Sequence, residues 1–318
     1  MTRKVIGIGE TVLDIIFKDN QPVGAVPGGS VFNSIISLAR SGVQCSFISE
    51  TGNDRVGRTI LDCLKENGVD ASSVYVYPDS KSPLSLAFLH EHNDAEYIFY
   101  KDHPKDRLEF TFPDVQPDDI VLFGSYYAVN PVIRPQVLGF LDYARQHGAI
   151  LYYDVNFRAS HRDEVVKLTP NILENLEYAD IVRGSTEDFE VMFRKSDPDV
   201  IYRTQIAFYT KRFICTQGAK PVELRADNGL KKSYAVQASG DIVSTIGAGD
   251  NFNAGFAYGL IRYGITREQI ECGLTEEQWN QLIGCAQLFS SVVCQSINNS
   301  VSPEFGSQMA QQLGGESV

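Results

Sequence analysis

The chain has 318 residues, 43% of them hydrophobic, and a formal net charge of −12. This length and apolar content can bury a large core, which excludes disordered, fibrous and miniprotein classes. The negative charge disfavours nucleic acids and anionic membranes as partners, because long-range repulsion opposes the encounter. An anionic ligand would need local groups: backbone N–H groups, a metal ion or a few cations.

Short apolar strands alternate with amphipathic helices along the chain. The predicted strands are 5–8, 44–49, 119–124, 149–154, 179–183 and 213–216, and the predicted helices are 32–39, 56–67, 134–147, 186–194 and a long one after Asp250. This alternation predicts an α/β fold with a mostly parallel sheet covered on both faces. Ligands bind at the carboxyl ends of such strands, where Asp154, Asn156, Arg158 and Ser185 fall.

Two segments interrupt the alternation, approximately residues 13–26 and 82–101. Both have the pattern of β-hairpins, the second around a polar Asn93-Asp94 turn. They would form a small sheet that covers the site as a lid, or they would extend an edge of the main sheet. The pattern alone leaves both alternatives open.

The C-terminal region begins with a capping box, Thr275 to Gln278, which predicts a structural helix. Its expected buried stripe is Trp279, Leu282, Ile283, Ala286 and Phe289. Residues 306–318 have little apolar content and predict a loose tail. No linker rich in Pro, Gly or Ser divides the chain, so 1–318 is predicted to be a single domain.

The cysteines and the N-terminal residues indicate in which compartment of the cell the protein works. The six cysteines are scattered through apolar segments without a C-x-x-C pair, which favours reduced thiols over disulfides or zinc. The first apolar run is too short for the core of a signal peptide, and no run is long enough to cross a membrane. These patterns predict a cytoplasmic protein.

Residues 244–255, S-T-I-G-A-G-D-N-F-N-A-G, are the segment that most strongly indicates a ligand-binding or catalytic site. The turn Gly247-Ala248-Gly249 leads into a helix, so backbone N–H groups and the positive end of the helix dipole would form an anion site. An isolated Asp250 in the first turn would usually only stabilise the helix. The flanking glycines favour a ligand contact instead, because they let a bulky group approach the backbone. Gly255, and Gly259 beyond it, are better explained by helix packing.

Two common nucleotide motifs do not fit the sequence. No G-x-x-x-x-G-K-[ST] loop occurs. Gly7-Ile8-Gly9 begins like a dinucleotide fingerprint, but Val12 stands where the third glycine belongs. A nicotinamide-dependent oxidoreductase is therefore the weaker interpretation.

Residues 27–42, P-G-G-S-V-F-N-S-I-I-S-L-A-R-S-G, resemble the first signature of the PfkB, or ribokinase-like, carbohydrate kinases. Residues 244–255 resemble the second signature, D-T-x-G-A-G-D-x-F-x-x-G. The two occur in the family's order, and the resemblance covers almost the whole chain. It implies a ribokinase-like three-layer sandwich with a mostly parallel central sheet and a small β-sheet lid.

The resemblance implies that Asp250 accepts the proton of a sugar hydroxyl as that hydroxyl attacks the γ-phosphate of ATP. The N–H groups of Gly247, Ala248 and Gly249 would hold the developing negative charge. Phosphoryl transfer requires mainly positioning and charge stabilisation, so this reading agrees with the anion site inferred from the residues.

The resemblance also implies a set of sugar contacts. Asp14 matches an early sugar-binding Asp, although read alone it is an ordinary strand-end residue. Gly28, Gly29 and Asn33 match the first signature's sugar contacts, whereas Asn33 read alone equally suits a helix start. Arg158, in D-V-N-F-R, resembles a substrate- or phosphate-binding Arg. A surface ion pair with Asp163 or Glu164 is the alternative for Arg158.

The remaining resemblances concern the nucleotide. Ser185 falls in the family's Asn/Ser-x-x-Glu element, near Mg²⁺ and the phosphates, which makes Glu187 and Asp188 the implied metal-side carboxylates. Ser185 is also a typical helix N-cap. Thr216 and Gly218, in C-T-Q-G-A-K, resemble part of the loop that lines the ATP groove.

Four positions depart from the family pattern. Ser244 stands where many members have Asp, which leaves a monovalent-cation site open to question. Lys220-Pro221 changes the nucleotide loop, Ser34-Ile35 replaces the common x-Ala, and Gly184-Ser185 is not the commoner Asn form. None of these departures removes Asp250 or the glycines before it.

The sequence therefore predicts an ATP- and Mg²⁺-dependent kinase that phosphorylates a primary hydroxyl of fructose, a related ketose or a sugar acid. The alternatives are a nucleoside kinase and, in another class, a sensor that binds sugar or nucleotide without turnover. Exposed apolar residues in the lid hairpins would allow a homodimer to form through the lid.

Overall fold

Apolar runs form the strands of two sheets, and amphipathic segments form the helices around the larger one. The computed structural model describes residues 3–89, 95–100, 111–236, 240 and 242–314. The strands are β1 Lys4–Ile8, β2 Val12–Lys18, β3 Gln21–Gly28, β4 Gln44–Gly52, β5 Val74–Tyr77, β6 Leu84–Leu89, β7 Ala95–Tyr100, β8 Ile120–Gly124, β9 Ile150–Asp154, β10 Ile181–Ser185, β11 Phe213–Gln217, β12 Lys220–Arg225 and β13 Lys231–Tyr234. The helices are α1 Ser30–Arg40, α2 Arg55–Glu66, α3 Ser125–Val129, α4 Arg134–Gln146, α5 Val165–Tyr178, α6 Thr186–Phe193, α7 Pro198–Ile201, α8 Ala248–Arg262, α9 Arg267–Cys272, α10 Glu276–Val293 and α11 Pro303–Gly314.

The main sheet has nine strands in the order β13-β12-β11-β10-β9-β8-β1-β4-β5. All neighbours from β11 to β5 pair in parallel, and only β12 and β13 are antiparallel. The strand order reverses next to β1, which has β8 on one side and β4 on the other. The carboxyl ends of strands at such a reversal are where α/β sheets bind ligands.

Helices cover both faces of this sheet and produce two apolar cores. Successive residues of β1 point to opposite faces, so Val5 lies in one core and Ile6 in the other. The first core holds α1, α2, α8 and α10, and the second holds α3 to α6. This three-layer arrangement confirms the predicted fold class. No helix within the described ranges is both long and apolar enough to span a bilayer.

The two predicted hairpins form a separate four-stranded sheet in the order β3-β2-β6-β7. Strand β2 pairs antiparallel with β3 and parallel with β6, which pairs antiparallel with β7. The segments are therefore a small second sheet and not an edge of the main one. The predicted Asn93-Asp94 turn lies outside the described residues.

Helix α8 packs closely on α10, as its two interior glycines predicted. A methyl group on Gly255 would approach the carbonyl oxygen of Cys285 and stand 2.8 Å from Cα of Ala286. A methyl group on Gly259 would lie 3.1 Å from Leu282. The expected stripe of α10 is fully buried, which confirms that this helix is structural: Trp279, Leu282, Ile283, Ala286 and Phe289.

The predicted loose tail is wrong over most of its length, because residues up to 314 belong to α11. The helix packs where Gly306 meets the backbone and Cβ of Arg40, within 2.8 Å of an added methyl group. Met309 is buried, and its carbonyl oxygen accepts a 2.8 Å hydrogen bond from the hydroxyl of Tyr258. The buried Met309, the partly buried Leu313 and a close glycine contact anchor a segment whose composition is mostly polar.

Gly255 on α8 and Gly284 on α10 offer a matched pair of glycine substitutions that tests the contact between the two helices. We expect Gly255→Ala to lower the free energy of unfolding by about 1–3 kcal/mol, because the new methyl group meets backbone atoms that cannot move freely. Gly284→Ala adds the same group where no atom lies within 4 Å, and it should be neutral or stabilise by up to about 1 kcal/mol. Urea denaturation measures both; equal stabilities would contradict the packing account.

Candidate active site

The two signature segments meet at the carboxylate of Asp250, in the first turn of α8. Ser30 Oγ donates to Asp250 Oδ1 at 2.7 Å, and Asn33 Nδ2 donates to Oδ2 at 2.8 Å. Ser34 Oγ donates to the backbone carbonyl of Asp250 at 2.7 Å. Three residues on one face of α1 therefore fix one acidic residue of α8. Asp250 itself is only 8% exposed.

The environment of Asp250 raises the pKa of its carboxyl group above the ordinary value. Burial is the main cause, and the negative charge of Asp154 adds to it. The hydrogen bonds from Asn33 and Ser30 and the positive charge of Arg158 oppose the shift. A carboxylate with a raised pKa is a stronger base than an ordinary one, which suits proton abstraction.

The turn before Asp250 exposes backbone N–H groups as predicted, with one exception. Gly247 is the N-cap of α8, with a left-handed φ of 77°. Within the described part of the chain, the N–H groups of Gly247, Gly249 and Asp250 have no acceptor, whereas that of Ala248 donates to Thr245 at 3.2 Å. Two or three backbone donors at a helix N-terminus are a typical anion site.

A buried amide holds this turn in place. Asn251 Nδ2 donates to the carbonyl oxygens of Gly247 and Asn299, at 2.8 Å each. Asn251 Oδ1 accepts a 2.6 Å hydrogen bond from Ser37 Oγ on α1. The turn is therefore tied to α1 and to the loop that follows α10.

Asp14 lies on β2 of the small sheet and is 7% exposed. Its carboxylate accepts hydrogen bonds from Ser85 Oγ and, at 3.3 Å, from Asn299 Nδ2. Burial raises its pKa to about 6, and the charge of Asp250 contributes to the rise. The hydrogen bonds and Arg158 act in the opposite direction. Asp14, from the small sheet, and Asp250, from helix α8, thus lie in one electrostatic environment.

The glycine pair of the first signature is required by close contacts within the protein. A methyl group on Gly28 would collide with the carboxylate of Asp14, and one on Gly29 would collide with the carbonyl oxygen of Glu10. Gly29 also has a φ of 129°, which disfavours other residues. In the structure the two glycines admit Asp14 and the carbonyl of Glu10, and their contact with a sugar ring stays a prediction.

Two buried acceptors near Asp250 and Gly29 lack hydrogen-bond donors among the described residues. They are Asn33 Oδ1 and Glu10 Oε2. The other oxygen of Glu10 accepts a 2.7 Å hydrogen bond from Ser125 Oγ, at the carboxyl end of β8. Buried acceptors without donors are unfavourable, so a ligand rich in hydroxyl groups would complete their hydrogen bonding.

Arg158 follows β9 and has an exposed side chain. Its guanidinium lies 5.8 Å from the ring centroid of Tyr97 on the small sheet, and its charge reaches both Asp14 and Asp250. Glu164, one of the alternative partners, instead accepts hydrogen bonds from Tyr126 and His161. Arg158 forms no ion pair among the described residues. The surface ion pair with Asp163 or Glu164, which was the alternative interpretation, is therefore absent from this part of the chain.

Ser185, Glu187 and Asp188 form the start of α6. Ser185 is the N-cap of this helix, as its residue type predicted. Ser185 Oγ accepts a hydrogen bond from Asp188 N at 3.1 Å, and Asp188 Oδ2 accepts one from Ser185 N at 2.6 Å. Asp188 Oδ1 accepts from Phe157 N at 2.9 Å. Both oxygens of Asp188 are thus engaged, Oδ2 in capping α6 and Oδ1 with the segment after β9. Glu187 is the exposed carboxylate of the pair. Their metal-side role stays a prediction.

Thr216 and Gly218 lie at the end of β11 and in the turn after it. Gly218 has a φ of 60°, with no atom within 4 Å of an added methyl group, so the turn is open. Thr216 Oγ1 accepts a 2.8 Å hydrogen bond from Nη2 of Arg183. Ser244 is buried, and its Oγ accepts from Ile246 N at 3.1 Å. The nucleotide and cation roles of these residues stay predictions.

Several residues of this site were missed by the sequence interpretation. Asn33 and Ser34 follow Ser30 at spacings of three and four, which places them on the same helix face as Ser30, so the pattern could have indicated both serines. Asn251 and Asn299 had no such signal, because they act across distant segments. Arg183 stands at the end of a predicted strand, and no local pattern marked it as part of the site.

The model of the pfkB family carbohydrate kinases matches residues 2–304. The chain belongs to the PfkB family of carbohydrate kinases. A 5-dehydro-2-deoxygluconokinase of Geobacillus kaustophilus is 31% identical over 251 residues, which are 74% of this chain and 72% of that protein. A probable chloroplastic fructokinase-6 of Arabidopsis thaliana is 25% identical over 264 residues, 79% of this chain and 68% of that protein.

Solved structures of PfkB-type kinases share the fold. An aminoimidazole riboside kinase from Salmonella enterica, complexed with aminoimidazole riboside and an ATP analogue, superposes with a TM-score of 0.80 at 22% identity, over 98% of this chain and 100% of that one. A Vibrio cholerae fructokinase bound to fructose, ADP and calcium gives 0.82 at 18% identity, over 97% and 99%. The PfkB membership confirms the predicted activity class, ATP-dependent phosphorylation of a sugar or sugar acid.

The raised pKa of Asp14 predicts a stability cost that depends on pH. The folded pKa of about 6 exceeds the ordinary 3.8, so the folded state loses stability as the pH rises through this interval. Asp14→Asn removes the ionisation, and we expect it to stabilise the fold by about 1–3 kcal/mol above pH 6. The gain should become small near pH 4, where folded Asp14 is protonated and the unfolded state has only begun to ionise. Chemical denaturation at pH 4, 6 and 8 measures this change; a gain that did not vary with pH would contradict it.

Proposed function

We propose that this PfkB-family kinase transfers the γ-phosphoryl group of ATP to a primary hydroxyl of a ketose-derived sugar acid, with Asp250 as the general base. The observation that carries the proposal is the buried Asp250 carboxylate, which two side chains of α1 hold beside a turn with free N–H donors. A base and an anion site adjacent to each other are the main requirements of this reaction.

In the proposed step, a hydroxyl oxygen of the sugar attacks the γ-phosphorus while its proton passes to Asp250. The bond between the γ-phosphorus and the bridging oxygen breaks, and ADP leaves with the electron pair. The N–H groups of Gly247, Gly249 and Asp250 stabilise the charge on the transferring group. Asp250 then releases its proton to solvent, which restores the carboxylate.

Magnesium would enter as part of the nucleotide substrate. No group of three His, Cys, Asp or Glu side chains that could hold a metal ion occurs within the described ranges. Mg²⁺ commonly binds through one or two carboxylates together with substrate phosphates. The exposed Glu187 fits such a limited contribution, and the capping hydrogen bonds of Asp188 leave it less suited.

The base of the nucleotide would lie against an apolar surface beside the turn. Ile242, Val243, Leu288 and Ile297 are each more than 40% exposed, and Val243 N donates to the carbonyl of Cys294 at 2.8 Å. This contact joins the segment before the turn to the end of α10. Exposed aliphatic side chains next to an anion site suit a flat heterocycle with a phosphate tail.

A sugar acid is favoured as acceptor because Arg158 offers a cation without an ion-pair partner among the described residues. An arginine binds a carboxylate in a bidentate manner, and Asp14 and Asn33 can engage hydroxyl groups at the same time. The relative of highest identity reported above is a 5-dehydro-2-deoxygluconokinase. Fructose lacks the carboxylate and would use Arg158 less well.

The wider proposal includes assembly and location. Ile98, Phe99 and Tyr100 of β7 are 42%, 38% and 57% exposed, and they favour a homodimer that pairs through the small sheet. The six cysteines are free, which suits a reducing cytoplasm. The substrate screen below distinguishes a sugar kinase from a nucleoside kinase. The ADP-release assay distinguishes a kinase from a sensor that binds without turnover.

The general-base role predicts the effect of replacing Asp250. Asp250→Asn keeps the size and should lower kcat by about 10²- to 10⁴-fold with little change in ATP binding. Coupled ADP release and calorimetry measure the two quantities. Asp163→Asn, which removes an exposed charge on the turn near Arg158, is the matched control and should keep full activity. Near-normal turnover of Asp250→Asn would disprove the assignment.

The sugar-acid preference can be tested through Arg158. ADP release should be measured with 5-dehydro-2-deoxygluconate, fructose, aldoses and nucleosides. We expect the highest kcat/KM for the sugar acid, and Arg158→Gln should lower that value about 10- to 100-fold while affecting fructose less. An equal loss for both substrates would assign Arg158 to the phosphate. A preference for nucleosides would overturn the choice of substrate class.

A further inference from the structure

Arg183 is a buried cation in the middle of the parallel sheet. It lies on β10 and is 7% exposed. Its Nη1 donates to Asp154 Oδ1 on β9 at 2.9 Å, and its Nη2 donates to Thr216 on β11 at 2.8 Å. Nε is buried without a hydrogen-bond acceptor in the described structure. Burial of a guanidinium with an incomplete set of partners is costly.

The partner of Arg183 is itself fixed. Asp154 Oδ2 accepts a 2.8 Å hydrogen bond from Asn253 Nδ2 on α8, and Asn253 Oδ1 accepts a 3.1 Å hydrogen bond from the hydroxyl of Tyr152. Asp154, Asn253 and Tyr152 are each at most 1% exposed. The guanidinium is therefore held in one position by a chain of buried hydrogen bonds.

This position lies directly against the first turn of α8. A methyl group on Gly249 would stand 3.0 Å from Nη2, 3.1 Å from Nη1 and 3.4 Å from Cζ of Arg183. Because both terminal nitrogens lie nearer than Cζ, the guanidinium approaches Gly249 with its Nη1–Nη2 end. Glycine is needed at 249 to admit the arginine as well as a ligand.

Two sources of positive potential thus meet at the same turn. The N-terminus of α8 carries a partial positive charge, and a cation beside it is unfavourable while no anion is bound. Burial opposes the charge of Arg183, but Asp154 keeps its pKa above the ordinary value, so the guanidinium stays charged. An anion bound at the turn would turn this unfavourable arrangement into a favourable one.

We propose that Arg183 is a positioning residue for the transferring phosphate. The positive charge of its guanidinium, which lies behind Gly249, strengthens the anion site formed by residues 247–250. The transferring group would lie on the solvent side of the turn and the guanidinium on the protein side. Asp154 and Thr216 set the orientation of the arginine. The inference rests on the proposed function, in which this turn receives the γ-phosphate.

Nucleotide binding tests the role of the charge without any need for turnover. Calorimetry with a non-hydrolysable ATP analogue and with ADP, each with Mg²⁺, should show that Arg183→Met weakens analogue binding about tenfold or more and ADP binding less. Sugar affinity should stay within about twofold. Arg183→Lys keeps the charge and should retain most of the analogue affinity. Equal losses in the Lys and Met variants, or unchanged analogue binding in Arg183→Met, would overturn the proposal.

A double-mutant cycle tests the contact with Gly249. Gly249→Ala should displace the guanidinium and weaken analogue binding, and this effect should largely disappear in the Arg183→Met background, where the methyl group has space. Fully additive effects would contradict the contact. If Arg183→Met alone does not fold, the double variant Arg183→Met/Asp154→Asn replaces it in the binding measurements, because it leaves no buried unpaired charge. A wild type that binds neither nucleotide would contradict the proposed function, a result distinct from failure of the Arg183 role.

Discussion

The hydrogen bonds from Ser30 and Asn33 to Asp250 are the contact on which the site depends. They join α1, which begins at the end of the small sheet, to α8, which packs on α10 in the main core. Helix α1 cannot shift along α8 without breaking them. The position of the small sheet, the glycine turn and the buried acid are thereby set together, and the core packing of α8 supports all three.

Several glycines of the site and of the helix that supports it admit other groups of the protein. Gly28 admits the carboxylate of Asp14, Gly249 admits the guanidinium of Arg183, and Gly255 admits the backbone of α10. In each case a charged or polar group reaches a place that a methyl group would close. The two family signatures therefore record the internal construction of the site as much as its ligand contacts.

Local patterns predicted the parts of the structure that depend on neighbouring residues. The alternation of strands and helices, the stripe of α10 and the N-cap at Ser185 all have signals within a few residues, and the structure agrees with them. Helix α5 was not predicted, because Pro170 interrupts its pattern. Helix α11 and the Arg183 contacts depend on tertiary packing between distant segments, which no local pattern contains.

Both carboxylates of the site are held by groups that do not titrate. Hydroxyl and amide side chains donate to Asp250, and the same two chemical types donate to Asp14. These donors keep their hydrogen atoms at every pH at which the fold exists. A change of pH therefore acts on this part of the site through the two acids themselves and not through the groups that hold them.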